Sequence, residues 1–160
     1  MIRPVKESDA ETITGIYNHY VAETVITFEE KEVGIKEMKD RIRKISSVYP
    51  FLVYEEEGNV KGYAYVSTWN TKMAYRYTAE VTIYMDKSFI GYGIGSLLFN
   101  ALLQEVRKTA LHALVSLITL PNENSIRLHE KFGFKQNACY KEVGYKFGQW
   151  LDVGNWELLL

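Results

Sequence analysis

Apolar positions change period along the chain, and the changes mark its elements. Ile2 to Val5 is a short extended run. Beyond Ser8 and Asp9, which can cap a helix, Ile13, Ile16, Tyr17 and Tyr20 recur at helical spacing. A second helix is expected from about Gly34, with Ile35, Met38, Ile42 and Ile45 on one face and a Lys/Glu-rich solvated face opposite; Tyr49 and Pro50 end it. The period then shortens. Phe51 to Tyr54 and Val60 to Val66 read as strands joined by a turn at Glu57, Gly58 and Asn59, and Tyr75 to Met85 as a long strand. A glycine-rich loop at 91–95 leads into a helix through about Lys108, with Ile94, Leu98, Ala101, Leu102 and Val106 inward. Ala113 to Leu120 is a strand, Ser125 to Lys131 a short helix opened by residues 121–124, and Phe134 to Leu160 two strands flanking 144–149. Helices and strands in this order give an α/β (α+β) domain: a mixed, mostly antiparallel central sheet with helices on both faces.

Composition narrows the function. The 160 residues suit one domain spanning 1–160. A net charge of −1 argues against nucleic acid as a partner, and no apolar run reaches the roughly 18 to 20 residues of a membrane span. The N-terminus lacks a signal-peptide core and the single cysteine, Cys139, suits a reducing compartment, so a cytoplasmic location is expected. His19 and His112 show no metal-ligand spacing, and no metal is expected.

The glycine loop carries the first chemical signal. Gly91, Gly93 and Gly95 stand between a strand and a helix start, where unbonded amides and the helix dipole favour a phosphate. No Lys follows as in a Walker loop, and Ser96 stands where a dinucleotide fingerprint has its third glycine. Glu80 is a carboxylate inside an apolar strand. On spacing alone it reads as a partly exposed residue, half of an ion pair, or a base whose pKa burial would raise. His129 alone reads as a structural histidine, and Arg76 as a surface residue or a carboxylate clamp.

These segments together resemble one family. The loop resembles the acyl-CoA pyrophosphate loop of the GNAT superfamily of N-acetyltransferases. The segments 18–21 (NHYV), 27–30 (TFEE), 62–65 (GYAY), 74–76 (AYR), 80–84 (EVTIY), 127–134 (RLHEKFGF), 143–148 (VGYKFG) and 150–153 (WLDV) look like its phosphinothricin acetyltransferase branch. The resemblance covers nearly the whole chain and implies acetyl-CoA as co-substrate, held by Gly91, Tyr92, Gly93, Ile94, Gly95 and Ser96, with Asn124 and Ser125 on its arm. It implies an oxyanion site at the Ile83, Tyr84 and Met85 amides, on a strand that splays from its neighbour. It makes Glu80 the base and His129 an acid or base, with Phe28, Tyr63, Tyr75 and Arg76 around an amino-acid-like substrate. A homodimer is implied, with Trp150, Trp156 and residues 158–160 as buried strand or dimer contact. One departure stands out: Ile90 occupies a position where the superfamily carries Arg or Gln, and Lys87 is the nearby candidate for the missing charge. Two alternatives stay open: an acetyltransferase for another small amine, such as a polyamine or aminoglycoside, and a non-catalytic acyl-CoA sensor.

Overall fold

The computed structural model describes residues 1–160. Seven strands form one sheet in the order β1-β2-β3-β4-β5-β7-β6. They are β1 (Ile2–Pro4), β2 (Phe51–Glu56), β3 (Asn59–Thr68), β4 (Thr78–Met85), β5 (Ala113–Thr119), β6 (Lys135–Lys146) and β7 (Gln149–Leu159). Four helices accompany them: α1 (Ala10–Glu23), α2 (Ile35–Ser46), α3 (Ile94–Val106) and α4 (Glu123–Lys131). The β4–β5 pair is parallel, while β1–β2, β2–β3, β5–β7 and β6–β7 are antiparallel, so the sheet is mixed. No helix is long and apolar enough to cross a membrane.

The chain divides into two compact units, each built from three separate stretches. The first unit comprises Met1–Asn18, Val33–Ser67 and Val81–Ala110. Its core gathers Ile13, Ile16 and Tyr17 of α1, Met38 and Ile42 of α2, Val53, Val60 and Ala64 of the sheet, and Leu98, Phe99, Leu102 and Val106 of α3. The helical periodicity of the sequence is thus largely the burial pattern; of the positions expected inward, Ile35 is exposed and Ile45 and Ala101 are half-buried. Gly62 lets β3 approach β4 closely, since a Cβ there would collide with the Met85 side chain and lie 3.1 Å from the Tyr84 carbonyl oxygen.

At the start of this unit Arg3 donates from Nη1 and Nη2 to the Asp9 carboxylate at 2.8 Å each, and from Nε to Glu55 at 2.6 Å. The Lys6 amide adds a bond to Asp9 at 2.7 Å. Burial alone would raise the Asp9 carboxyl, but the Arg3 and Lys6 donors outweigh it and hold the pKa below the ordinary 3.8. Its stabilisation is therefore complete above the ordinary value and lost as pH falls through the lowered one. Asp9→Ala removes two of the Arg3 bonds and the Lys6 amide acceptor but leaves the Glu55 partner in place, and thermal denaturation is expected to show a loss of about 1 to 2 kcal/mol.

The second unit comprises His19–Glu32, Thr68–Glu80 and Leu111–Leu160. Leu114, Val115, Ile118, Phe134, Leu151, Val153 and Trp156 form its core. Trp156 is 2% exposed and donates from Nε1 to Glu130 at 3.2 Å, whereas Trp150 is 63% exposed. The two C-terminal strands meet in a tight hairpin. Phe147 and Gly148 both take positive φ (51° and 74°), the geometry of a two-residue turn that follows the strand twist. The turn is therefore two residues long, shorter than the 144–149 segment expected from sequence.

A larger correction concerns the long strand expected from Tyr75. Residues Met73–Tyr75 form one 3-10 turn, with the Tyr75 amide bonded to the Lys72 carbonyl (2.9 Å) and the Arg76 amide to the Met73 carbonyl (3.2 Å). The strand starts only at Thr78. Aromatic and Thr-rich sequence favours extended structure, but local i→i+3 bonds close this segment instead.

Candidate active site

Glu80 lies on β4 opposite Val115 of β5, in the last register of a ladder that begins at Thr78↔Ala113. Beyond that pair both strands run on outside the β4–β5 ladder, β4 to Met85 and β5 to Thr119. Alternation along β4 sends Ala79 and Val81 into the core and leaves Glu80 half-buried on the other face. No ion pair offsets its burial, and desolvation pushes its carboxyl above the ordinary 4.5.

His129 belongs to α4, whose N-terminus is capped by Asn122: its Oδ1 accepts the Ser125 amide at 3.2 Å. Asn124 and Ser125 therefore stand within the first turn rather than at the cap. His129 is 2% exposed, with its ring edge-on to Phe134 at 5.2 Å. Its Nδ1 is 2.7 Å from the Ser125 carbonyl oxygen and 3.4 Å from Ser125 Oγ. A carbonyl only accepts, so Nδ1 carries the hydrogen and Nε2 is the basic nitrogen of the neutral ring. Burial lowers the pKa below the ordinary 6.5, so the ring is neutral at pH 7.

Three expected substrate residues share the second unit with this pair. Tyr75 packs edge-on to Trp69 at 5.1 Å. Arg76 is exposed, spends one N–H on the Met73 carbonyl at 3.1 Å, and lays its guanidinium 4.4 Å from the centre of the Tyr77 ring. The remaining donors of the fork are available to a carboxylate. Phe28 is 41% exposed and its ring lies against Gly144. Tyr63 is different: it is 2% exposed in the first unit, among the rings of Phe51, Tyr65 and Tyr84. There its ring is packed within an aromatic cluster.

The glycine loop belongs to the first unit. Gly91 and Gly93 take φ of 93° and 79°, which L side chains rarely adopt, and nothing lies within 4 Å of a Cβ built on either. Gly93 precedes α3, and the Ser96 and Leu97 amides donate to its carbonyl at 3.1 and 3.3 Å. The amides ahead of them lie at the positive end of a 13-residue helix. An open backbone cradle at a helix N-terminus fits a pyrophosphate. Tyr92 is 76% exposed, Ile90 is exposed, and the exposed Lys87 lies in a turn whose Asp86 cap accepts the Ser88 amide at 2.9 Å. Sequence reading assigned no role to Gly144 and Lys146, on β6: Val143, Tyr145 and Phe147 alternate as the apolar positions there, a pattern that turns Lys146 outward, yet Lys146 is buried and those three are exposed.

The family model of the acetyltransferase (GNAT) domain matches residues 2–154. A phosphinothricin N-acetyltransferase of Streptomyces viridochromogenes is 35% identical over 156 residues, spanning 98% of this chain and 85% of its own. An L-methionine sulfoximine/L-methionine sulfone acetyltransferase of Salmonella typhimurium is 37% identical over 161 residues, covering 99% of this chain and 94% of its own. Among solved structures, a GNAT superfamily phosphinothricin acetyltransferase from Sinorhizobium meliloti, in complex with acetyl-CoA, superposes with a TM-score of 0.96 at 33% identity, covering 100% of this chain and 88% of that one. The chain belongs to the GNAT acetyltransferase family.

Proposed function

We propose that this protein is a cytoplasmic, single-domain N-acetyltransferase that moves the acetyl group of acetyl-CoA directly to the α-amino group of a small amino acid of the phosphinothricin or methionine sulfoximine type. The observation that carries the reading is Glu80: a half-buried carboxylate with a raised pKa, in the same unit as a buried neutral histidine and an exposed arginine. The relatives named for phosphinothricin and methionine sulfoximine support the substrate class.

An α-ammonium group must lose a proton before its nitrogen can attack the thioester. Glu80, ionised above its raised pKa, takes that proton directly or through water. The attacking nitrogen then carries a second surplus proton in the tetrahedral adduct. Nε2 of His129 accepts it, and the imidazolium returns it to the departing thiolate. One proton leaves with Glu80, the other ends on coenzyme A sulfur, and the products are the amide and free thiol. Acetyl-CoA supplies the activated acyl group. Gly91, Tyr92, Gly93, Ile94, Gly95 and Ser96 hold its pyrophosphate through backbone amides, Asn124 and Ser125 its arm, and the Ile83, Tyr84 and Met85 amides serve the developing oxyanion. Lys87 takes the electrostatic role that Ile90 gives up.

Arg76 binds the substrate carboxylate as a fork, beside Tyr75 and Phe28. Arg76→Ala is expected to raise KM for the amino acid about tenfold to a hundredfold, while the acetyl-CoA KM holds. The methyl ester of the same amino acid should lose affinity with wild-type enzyme and be indifferent to the substitution. An unchanged amino-acid KM in the variant overturns the clamp.

The protein acts as a homodimer in this reading. Val143, Tyr145, Phe147 and Trp150 are exposed on β6, β7 and their turn, and the Tyr145 and Trp150 rings lie 4.8 Å apart, apolar surface that a second copy would cover.

A further inference from the structure

Lys146 is 1% exposed, a rare state for a lysine. The alternation of β6 turns Gly144 and Lys146 inward and Tyr145 outward. Lys146 Nζ donates to two backbone carbonyls at 2.8 Å, those of Val21 and Thr27. Val21 lies in the last turn of α1, where carbonyls lack helical partners and a cation is favoured. Thr27 lies in the segment that follows, next to Phe28. One ammonium therefore ties the end of a helix and the loop after it to the C-terminal hairpin, more than 115 residues away in sequence. Glu30 of the same loop adds attraction at longer range.

Gly144, two residues before Lys146, completes the arrangement. A Cβ there would collide with Cζ and Cε2 of Phe28. The far end of the Phe28 ring is thus seated on bare backbone, while the residue as a whole stays 41% exposed. A bulge sets up this stretch of β6: Glu142 takes a positive φ of 53°, and Asp152 accepts from the Glu142 amide (2.9 Å) and Lys141 Nζ (2.7 Å). The register shift between Tyr140 and Gly144 accompanies it.

Burying an ammonium is costly. A methionine of similar length would fill the space but would leave both carbonyls without this donor. An exposed loop held by a buried charge and a seated aromatic ring has one position where an apolar contact alone would allow several.

We propose that Lys146 and Gly144 are positioning residues that fix residues 24–32 so that Phe28 stands as a rigid wall for the side chain of the amino-acid substrate. The proposal rests on the acceptor-site reading above. Lys146 touches neither substrate nor coenzyme and acts only through the loop.

The test combines kinetics with hydrogen exchange on the full-length enzyme. Lys146→Met is expected to raise KM for the amino acid about tenfold, by displacing a pocket wall, with the acetyl-CoA KM within about twofold. Amide exchange should accelerate across residues 22–32 and stay unchanged in α3 and α4. Gly144→Ala displaces Phe28 without removing a charge and should give the same KM split, which keeps the test open if Lys146→Met folds poorly. In a Phe28→Ala background Lys146→Met should add little to KM, because the wall is already gone. Unchanged loop exchange, or faster exchange with an unaltered amino-acid KM, overturns the proposal; so does full additivity with Phe28→Ala. Failure of the parent reading looks different: the unsubstituted enzyme shows no amino-acid-dependent turnover, and loop exchange still decides whether Lys146 fixes the loop.

Discussion

Glu80→Gln is expected to lower kcat about 10²- to 10⁴-fold, with acetyl-CoA affinity and fold retained. The isostere keeps the shape of the side chain and removes its capacity to accept the ammonium proton. Its effect on stability should run opposite to its effect on rate. A carboxyl whose folded pKa is raised above the unfolded value stabilises the protein only while protonated. That contribution fades as pH rises from 4.5 through the raised value, and above it the ionised group costs stability. At neutral pH the melting temperature of Glu80→Gln should therefore match or exceed that of the wild type. A structural ion-pair member would behave in the reverse way, losing stability and keeping rate. The acid limb of the wild-type kcat profile should lie above the ordinary carboxyl range and vanish in the variant.

His129→Ala carries the second large effect, a fall in kcat of about a hundredfold. The structure gives this residue one tautomer, because Nδ1–H is committed to the Ser125 carbonyl at 2.7 Å. Burial keeps the ring neutral at the pH where Glu80 is ionised. A neutral Nε2 takes a proton before it can give one, which accounts for a histidine serving the same reaction as the carboxylate. Glu80 and His129 belong to one proton circuit, so the apparent pKa values of the rate profile describe the pair. The double variant should lose far less than the sum of the two single losses. Steady-state kinetics across pH on the two single variants and the double variant checks this.

The elements set by long-range periodicity were legible in the sequence. The inward faces of α1 and α3 appear in the core nearly as the spacing predicts, because burial of a stripe is what the spacing encodes. The glycine loop was legible for a related reason: positive φ at Gly91 and Gly93 needs glycine, and glycine is visible in a sequence. The turn at Met73–Tyr75 was not. It contains no Gly or Pro, and its Tyr and Thr neighbours favour the strand that begins only at Thr78. That difference moves Tyr75 and Arg76 off a strand edge and onto a turn. Tyr63 shows another limit, since an aromatic residue in a β-rich segment gives no sign of whether it faces core or ligand. Lys146 shows a third. Its partners are two backbone carbonyls far away in the chain, and backbone acceptors have no residue signature.

Thiol release from acetyl-CoA, followed with purified protein across a panel of amines, tests the central claim most directly. The panel holds phosphinothricin, methionine sulfoximine, methionine sulfone, ordinary amino acids and spermidine. The expected result is saturable release with an amino acid that bears a tetrahedral side-chain group, and none with spermidine. Release with spermidine alone, or acetyl-CoA binding without release on any amino acid, would contradict it.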